Sequence, residues 1–270
     1  MRFRALIGLG FGLMATGAYA DIPSGIEALE AGEVPRAAEL FQAAFEAGEA
    51  DGAFYLGRLF ELGLGTEPDM ARAAQLYAAG AASGGALSQN RLGLMYLDGE
   101  HVLQDFTRAA ELICGAADAG EANAQFNCGL MHAEGRGVEQ DQVRAIALWQ
   151  DAAASNHVAA TNYLAAAYEQ GDGVDEDASQ AFVLYEQTAS AGNPLGLFAV
   201  AQAYFNGEGV EADRVQAHMF ANLATVRGME GARALREEIT LTLSDEELAR
   251  AQQMAREWRA VPPGQTGEAE

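Results

Sequence analysis

Lysine is missing from all 270 residues, so each of the 16 basic side chains is an arginine. Against them stand 39 acidic residues, for a formal net charge of −23. A surface of that sign repels phosphate backbones and anionic headgroups, which argues against nucleic acid and against anionic membranes as partners. Long apolar runs are scarce as well. The stretch from Ala5 to Ala15 is eleven residues, whereas a helix needs about 20 to cross a bilayer. Catalytic signatures are also lacking. There is no GxSxG elbow, phosphate loop, zinc signature or SxxK motif. The four histidines, His101, His132, His157 and His218, include no pair spaced i, i+4 on a helix. The run from Gly171 to Asp177 has the look of a calcium loop, but position 12 counted from Asp172 is Val183 instead of the required glutamate. No cofactor or metal is therefore expected, and the chain reads as a non-catalytic protein.

What is present begins with a leader. Arg2 and Arg4 precede the short apolar run, and Ala18-Tyr19-Ala20 forms an A-x-A cleavage site before Asp21. Residues 1–20 thus read as a signal peptide, with export to the periplasm, or secretion, and no membrane insertion of the mature chain. Losing Arg2 and Arg4 leaves 14 basic against 39 acidic residues, a net charge of −25. The acidity has two readings: solubility alone, or attraction for a partner that carries basic residues.

The rest of the chain repeats itself every 36 residues. An apolar position recurs at Leu56, Leu92, Cys128, Leu164 and Val200, followed by a small residue at Gly57, Gly93, Gly129, Ala165 and Ala201. A mostly aromatic position reads Phe60, Tyr96, His132, Tyr168, Tyr204. The glycine that ends the first helix reads Gly63, Gly99, Gly135, Gly171, Gly207, and the aspartate that caps the second reads Asp69, Asp105, Asp141, Asp177, Asp213. Each position has a packing or capping reason, and their common register predicts an array of helix pairs. One copy departs from the pattern: His101 stands where the second turn glycine belongs, so that turn is expected to close differently.

The segments LGLMYLDG (92–99), CGLMHAEGRGV (128–138), LAAAYEQGDGV (164–174) and VAQAYFNGEGV (200–210) resemble the Sel1-like repeat, a relative of the tetratricopeptide repeat. The resemblance implies an all-α fold, a right-handed α/α superhelical solenoid. Residues 21–50 read as capping helices, 51–228 as five repeats and 229–260 as further capping helices. Ser244 and Glu247 form a capping box there, and 261–270 read as a disordered tail.

Such solenoids imply a scaffold or adaptor that holds a protein or extended peptide in a concave groove, in envelope or polysaccharide assembly or in regulation of signalling. Two alternatives stand beside it: a cell-wall or β-lactam-interacting hydrolase, and a secreted effector acting on a host. By analogy with the tetratricopeptide repeat, Phe54, Asn90, Phe126, Asn162 and Phe198 face the groove, as does Leu94. The opposing reading places the three phenylalanines between neighbouring first helices. Cys114 and Cys128 fall at equal heights on either side of the expected turn near Gly120. Export favours oxidation, and cysteine-rich members of the family carry interhelical disulfides at a shorter spacing. A disulfide and a pair of unrelated thiols are both open readings.

Overall fold

The computed structural model describes residues 21–261. The leader at 1–20 and the tail at 262–270 lie outside the described residues. Among those described there are 14 helices and no strand, in two compact units divided after Gly85. The first unit holds α1 (Ile22–Glu30), α2 (Val34–Glu46), α3 (Gly52–Leu62) and α4 (Met70–Ala82). The second opens with α5 (Ala86–Asp98), α6 (Phe106–Asp118), α7 (Ala122–Glu134), α8 (Gln142–Ala154) and α9 (Val158–Gln170). It closes with α10 (Ala178–Ser190), α11 (Pro194–Asn206), α12 (Arg214–Val226), α13 (Ala232–Thr240) and α14 (Asp245–Glu257). None of the described helices is long and apolar enough to cross a membrane.

One aspartate per repeat locks each helix pair. The side chain of Asp141 accepts the Arg144 backbone N–H at 2.9 Å, which caps α8. Its own N–H reaches back to the His132 carbonyl at 2.9 Å, near the end of α7. A single residue thereby satisfies orphan groups at both helix ends. Asp69, Asp105, Asp177 and Asp213 do the same in their copies.

The small residue of the first helix exists to admit a large one from the second. A Cβ on Gly57 would lie 2.4 Å from Tyr77, one on Gly93 2.5 Å from Ile113, and one on Gly129 2.4 Å from Trp149. Tyr77, Ile113 and Trp149 are all buried. Where the small residue is Ala201, the facing residue has shrunk to Ala221, and both are fully buried. The glycines leave the space that the large side chain fills, as close packing requires.

The turn at His101 corrects the sequence expectation. His101 has φ 64°, beside 75° at Gly137, 77° at Gly173 and 72° at Gly209. The turn closes as its siblings do, and a non-glycine residue bears the left-handed backbone.

At the amino end of the first unit, Gly25 lies against Phe41, which packs with Ala37, Leu56 and Leu59 in the local core. At the carboxyl end of the second, Ser244 and Glu247 form the reciprocal capping box that starts α14.

Candidate partner-binding surfaces

Of the row predicted to face a groove, Asn90, Phe126 and Asn162 sit at joints between successive repeats of the second unit. Asn90 is buried and donates its amide to Glu121 at 3.0 Å, while its oxygen accepts from Asn127 at 3.0 Å. Glu121 is the N-cap of α7. Asn162 is buried and donates to Asn193, the N-cap of α11, at 3.1 Å; its oxygen accepts from Thr188 at 2.7 Å. Both amides are thus engaged within the fold.

At Phe126 the facing cap changes to suit. Phe126 stacks on His157, the N-cap of α9, with ring centroids 4.8 Å apart. Phe198 and Met229 are half-buried against one core. In the first unit Phe54 packs edge-on to Tyr55 at 5.3 Å and lies 5.9 Å from Tyr77. Leu94 is half-buried against the core around Ala109 and Ile113.

His157 serves its helix through Nδ1, which accepts the Ala160 N–H at 3.1 Å. That bond needs the neutral ring. Burial lowers its pKa below the ordinary histidine value, against the opposing pull of its own backbone and of Glu121. Tyr185 is held far above the usual phenol range, first by burial and then by the Glu169 carboxylate it bonds at 3.2 Å.

Cys114 on α6 and Cys128 on α7 are joined in a disulfide, with Cα atoms 5.1 Å apart. His132 lies one turn beyond Cys128. The ligand atoms of the three residues fall within 4.8 Å of one another, and among the described residues this is the one cluster that could hold a metal ion. The bonded sulfurs carry no thiolate, so in this state only the imidazole is available as a ligand.

An open apolar cleft lies elsewhere, in the first unit. It measures about 570 Å³ and runs among α2, α3 and α4. Val34, Ala38, Leu59, Phe60, Leu64 and Leu76 supply its apolar walls, and Glu39 and Glu46 stand on its α2 side. Arg72 lies over the Phe60 ring, 4.2 Å from the centroid. Leu64 is 37% exposed at the mouth and Leu62 beside it 53%. Sequence reading missed this cleft because α1 and α2 read as a cap, although α2 matches α4 at the 36-residue period, Ala37 with Ala73 and Phe41 with Tyr77.

The Sel1 repeat family model matches residues 50–85, 86–121, 122–157, 158–193 and 194–225. The chain belongs to the Sel1 repeat family. Its five matched repeats begin at the N-terminal ends of α3, α5, α7, α9 and α11, so each contains one glycine-ended helix, one aspartate-capped helix and the turn between. Among solved structures, a protective antigen present in uropathogenic Escherichia coli strains, displaying an SLR fold, superposes with a TM-score of 0.77 at 24% identity over 93% of this chain. The match covers 59% of that antigen, so this Sel1 chain spans about three-fifths of its length. A Sel1 repeat protein from Oxalobacter formigenes gives a TM-score of 0.74 at 23% identity, over 94% of this chain and 99% of its own. At these identities the likeness concerns the fold. No curated relative matches the sequence at significance.

Proposed function

We propose that this Sel1 repeat protein is an exported, non-catalytic scaffold that holds a segment of a partner protein, and that the α2–α4 cleft is its docking surface. Sel1 repeats are commonly protein-interaction scaffolds, and the cleft carries the proposal to particular residues. It joins an apolar floor to an acidic edge. That combination suits a segment with one or two apolar anchors followed by arginine or lysine: the anchors fill the space near Leu64 and Leu76, and the cations meet Glu39 and Glu46. The chain's net charge of −23 favours the same partner by long-range steering. Phe54, Asn90, Leu94, Phe126, Asn162 and Phe198 then support binding indirectly, through packing within the fold, instead of contacting the partner.

The test is a peptide-display selection against the purified mature protein. Enriched peptides should share an apolar anchor next to basic residues. Their binding should drop at least tenfold in Leu64→Glu, whose side chain is already part-exposed, and remain in Phe126→Ala. Peptides that bind Leu64→Glu unchanged would move the site away from the cleft. The export half of the proposal is read separately: N-terminal sequencing of the periplasmic protein should give Asp-Ile-Pro-Ser, and a retained leader would overturn it.

A further inference from the structure

A second cavity, in the other unit, has the opposite chemistry. It lies among α12, α13 and α14 and measures about 410 Å³. Its polar lining comes from His218 and Asn222 on α12, Arg236 and Thr240 on α13, and Gln252 and Arg256 on α14; Leu248 adds an apolar wall. No aspartate or glutamate lines it, in a chain with 39 acidic residues and only 16 arginines. Among the described residues neither Arg236 nor Arg256 forms an ion pair. Two guanidinium groups therefore share a cavity with no counter-charge in its walls.

The surrounding bonds hold Arg236 in place. Arg236 donates to the Asn222 side-chain oxygen at 3.1 Å, which fixes one edge of its planar fork. Thr240 donates its hydroxyl to the Arg236 carbonyl at 2.7 Å. The Thr240 oxygen must then accept from His218 Nε2, 3.1 Å away, so the ring carries its proton on Nε2. His218 Nδ1 is left buried without a partner. Burial, and then the Arg236 charge, lower its pKa below the ordinary histidine value. His218 is thus a neutral wall, and the two arginines supply the positive charge.

We propose that this cavity is a receptor for the carboxylate group of a small organic acid. A guanidinium fork matches a planar carboxylate with two parallel hydrogen bonds. The side-chain amide of Gln252 can add a donor, and Leu248 accommodates a short carbon skeleton. The size suits an acid of a few carbons. The site is separate from the α2–α4 cleft and does not depend on what docks there.

Calorimetry and thermal unfolding test this with sodium malonate, inorganic phosphate and a short peptide with either a free or an amidated C-terminus. Ionic strength is held constant with chloride. Malonate should bind with 1:1 stoichiometry, raise the melting temperature saturably and shift the Asn222 and Gln252 side-chain amide signals in NMR spectra. Arg256→Gln should weaken it by roughly tenfold or more, as expected for loss of a charge-assisted pair. Because Arg256 is exposed, the unliganded variant should melt where the parent does. Arg256→Lys should retain part of the affinity, since it keeps charge but not the fork. If the free-acid peptide binds and both malonate and the amidated peptide do not, the carboxylate belongs to a chain terminus and the receptor chemistry still stands. Equal malonate responses in parent and Arg256→Gln, a response that never saturates, or tighter binding of phosphate than of any carboxylate would each overturn the proposal.

Discussion

At the scale of single residues, three histidines show how one side-chain type serves different ends. His157 caps α9 through an unprotonated nitrogen. Its pKa is lowered in the folded state, chiefly by burial. The unfolded chain therefore takes up the proton first as pH falls. The stabilisation is complete above the ordinary value of about 6.5 and shrinks as pH drops from there toward the folded pKa. His218 is shifted the same way. Melting temperature should accordingly decline between about pH 7 and pH 5. His157→Asn, which puts a good cap in the same place, should flatten part of that decline; an unchanged slope would remove His157 as a cause. His101 contributes through its backbone alone. Held at φ 64°, it should be relieved by His101→Gly, with a gain of about 0.5–1 kcal/mol in unfolding free energy. A loss of stability would mean that the imidazole makes a contact that outweighs the backbone strain. The sequence marks His101 as an exception but does not tell which way the turn resolves it, because the answer depends on whether the loop geometry or the residue's preference is stronger.

At the scale of elements, what could be read from the sequence divides by the distance over which a residue acts. Caps and helix-ending glycines act within a few positions, so Asp69, Asp105, Asp141, Asp177 and Asp213 were legible directly. Partners across a joint were not. Asn90 meets Glu121 and Asn162 meets Asn193, each 31 residues on, a spacing that the 36-residue period conceals. Pairing Phe126 with His157 follows the same offset. Once that offset is known, part of the row becomes intelligible: the amides of Asn90 and Asn162 face polar caps, and the ring of Phe126 faces an imidazole. The cleft and the arginine cavity were illegible for a different reason, since each joins capping helices (α2 in one, α13 and α14 in the other) to a terminal repeat, a junction that occurs once in the array. The second turn glycine shows how tight the joints are. A Cβ on Gly137 would lie 2.0 Å from the Phe106 carbonyl oxygen, whereas one on Gly171 finds nothing nearer than 3.4 Å. Both have positive φ. Gly171→Ala should therefore cost about 1 kcal/mol from backbone strain alone. Gly137→Ala should cost about 2–4 kcal/mol, because a clash with backbone adds to the same strain. Equal losses in urea titrations would show that the joint can give way.

At the scale of the whole molecule, charge is the dominant variable, and it pushes stability and binding in opposite directions. The chain carries −23, and its ion pairs do little to offset it. Arg36–Glu33, Arg108–Glu111, Arg136–Glu134 and Arg144–Asp118 are all largely exposed, a class worth between about 0 and 1 kcal/mol each. Arg58–Glu61 is the more sheltered pair. Repulsion among the remaining carboxylates acts over longer distances than these contacts. It weakens as the Debye length falls from about 30 Å at 0.01 M salt to about 8 Å at 0.15 M. Raising salt through that range should therefore increase the melting temperature. The same screening shortens the reach over which Glu39 and Glu46 attract a basic segment, so association with a peptide of the proposed kind should slow over the same range. Dissociation, governed by the apolar anchors near Leu64 and Leu76, should change little. Thermal unfolding and stopped-flow binding at matched salt concentrations measure both. A melting temperature that falls with salt would show that attractive pairs outweigh repulsion. An association rate indifferent to salt would show that the partner meets the cleft through its apolar floor alone, with no part for the acidic edge.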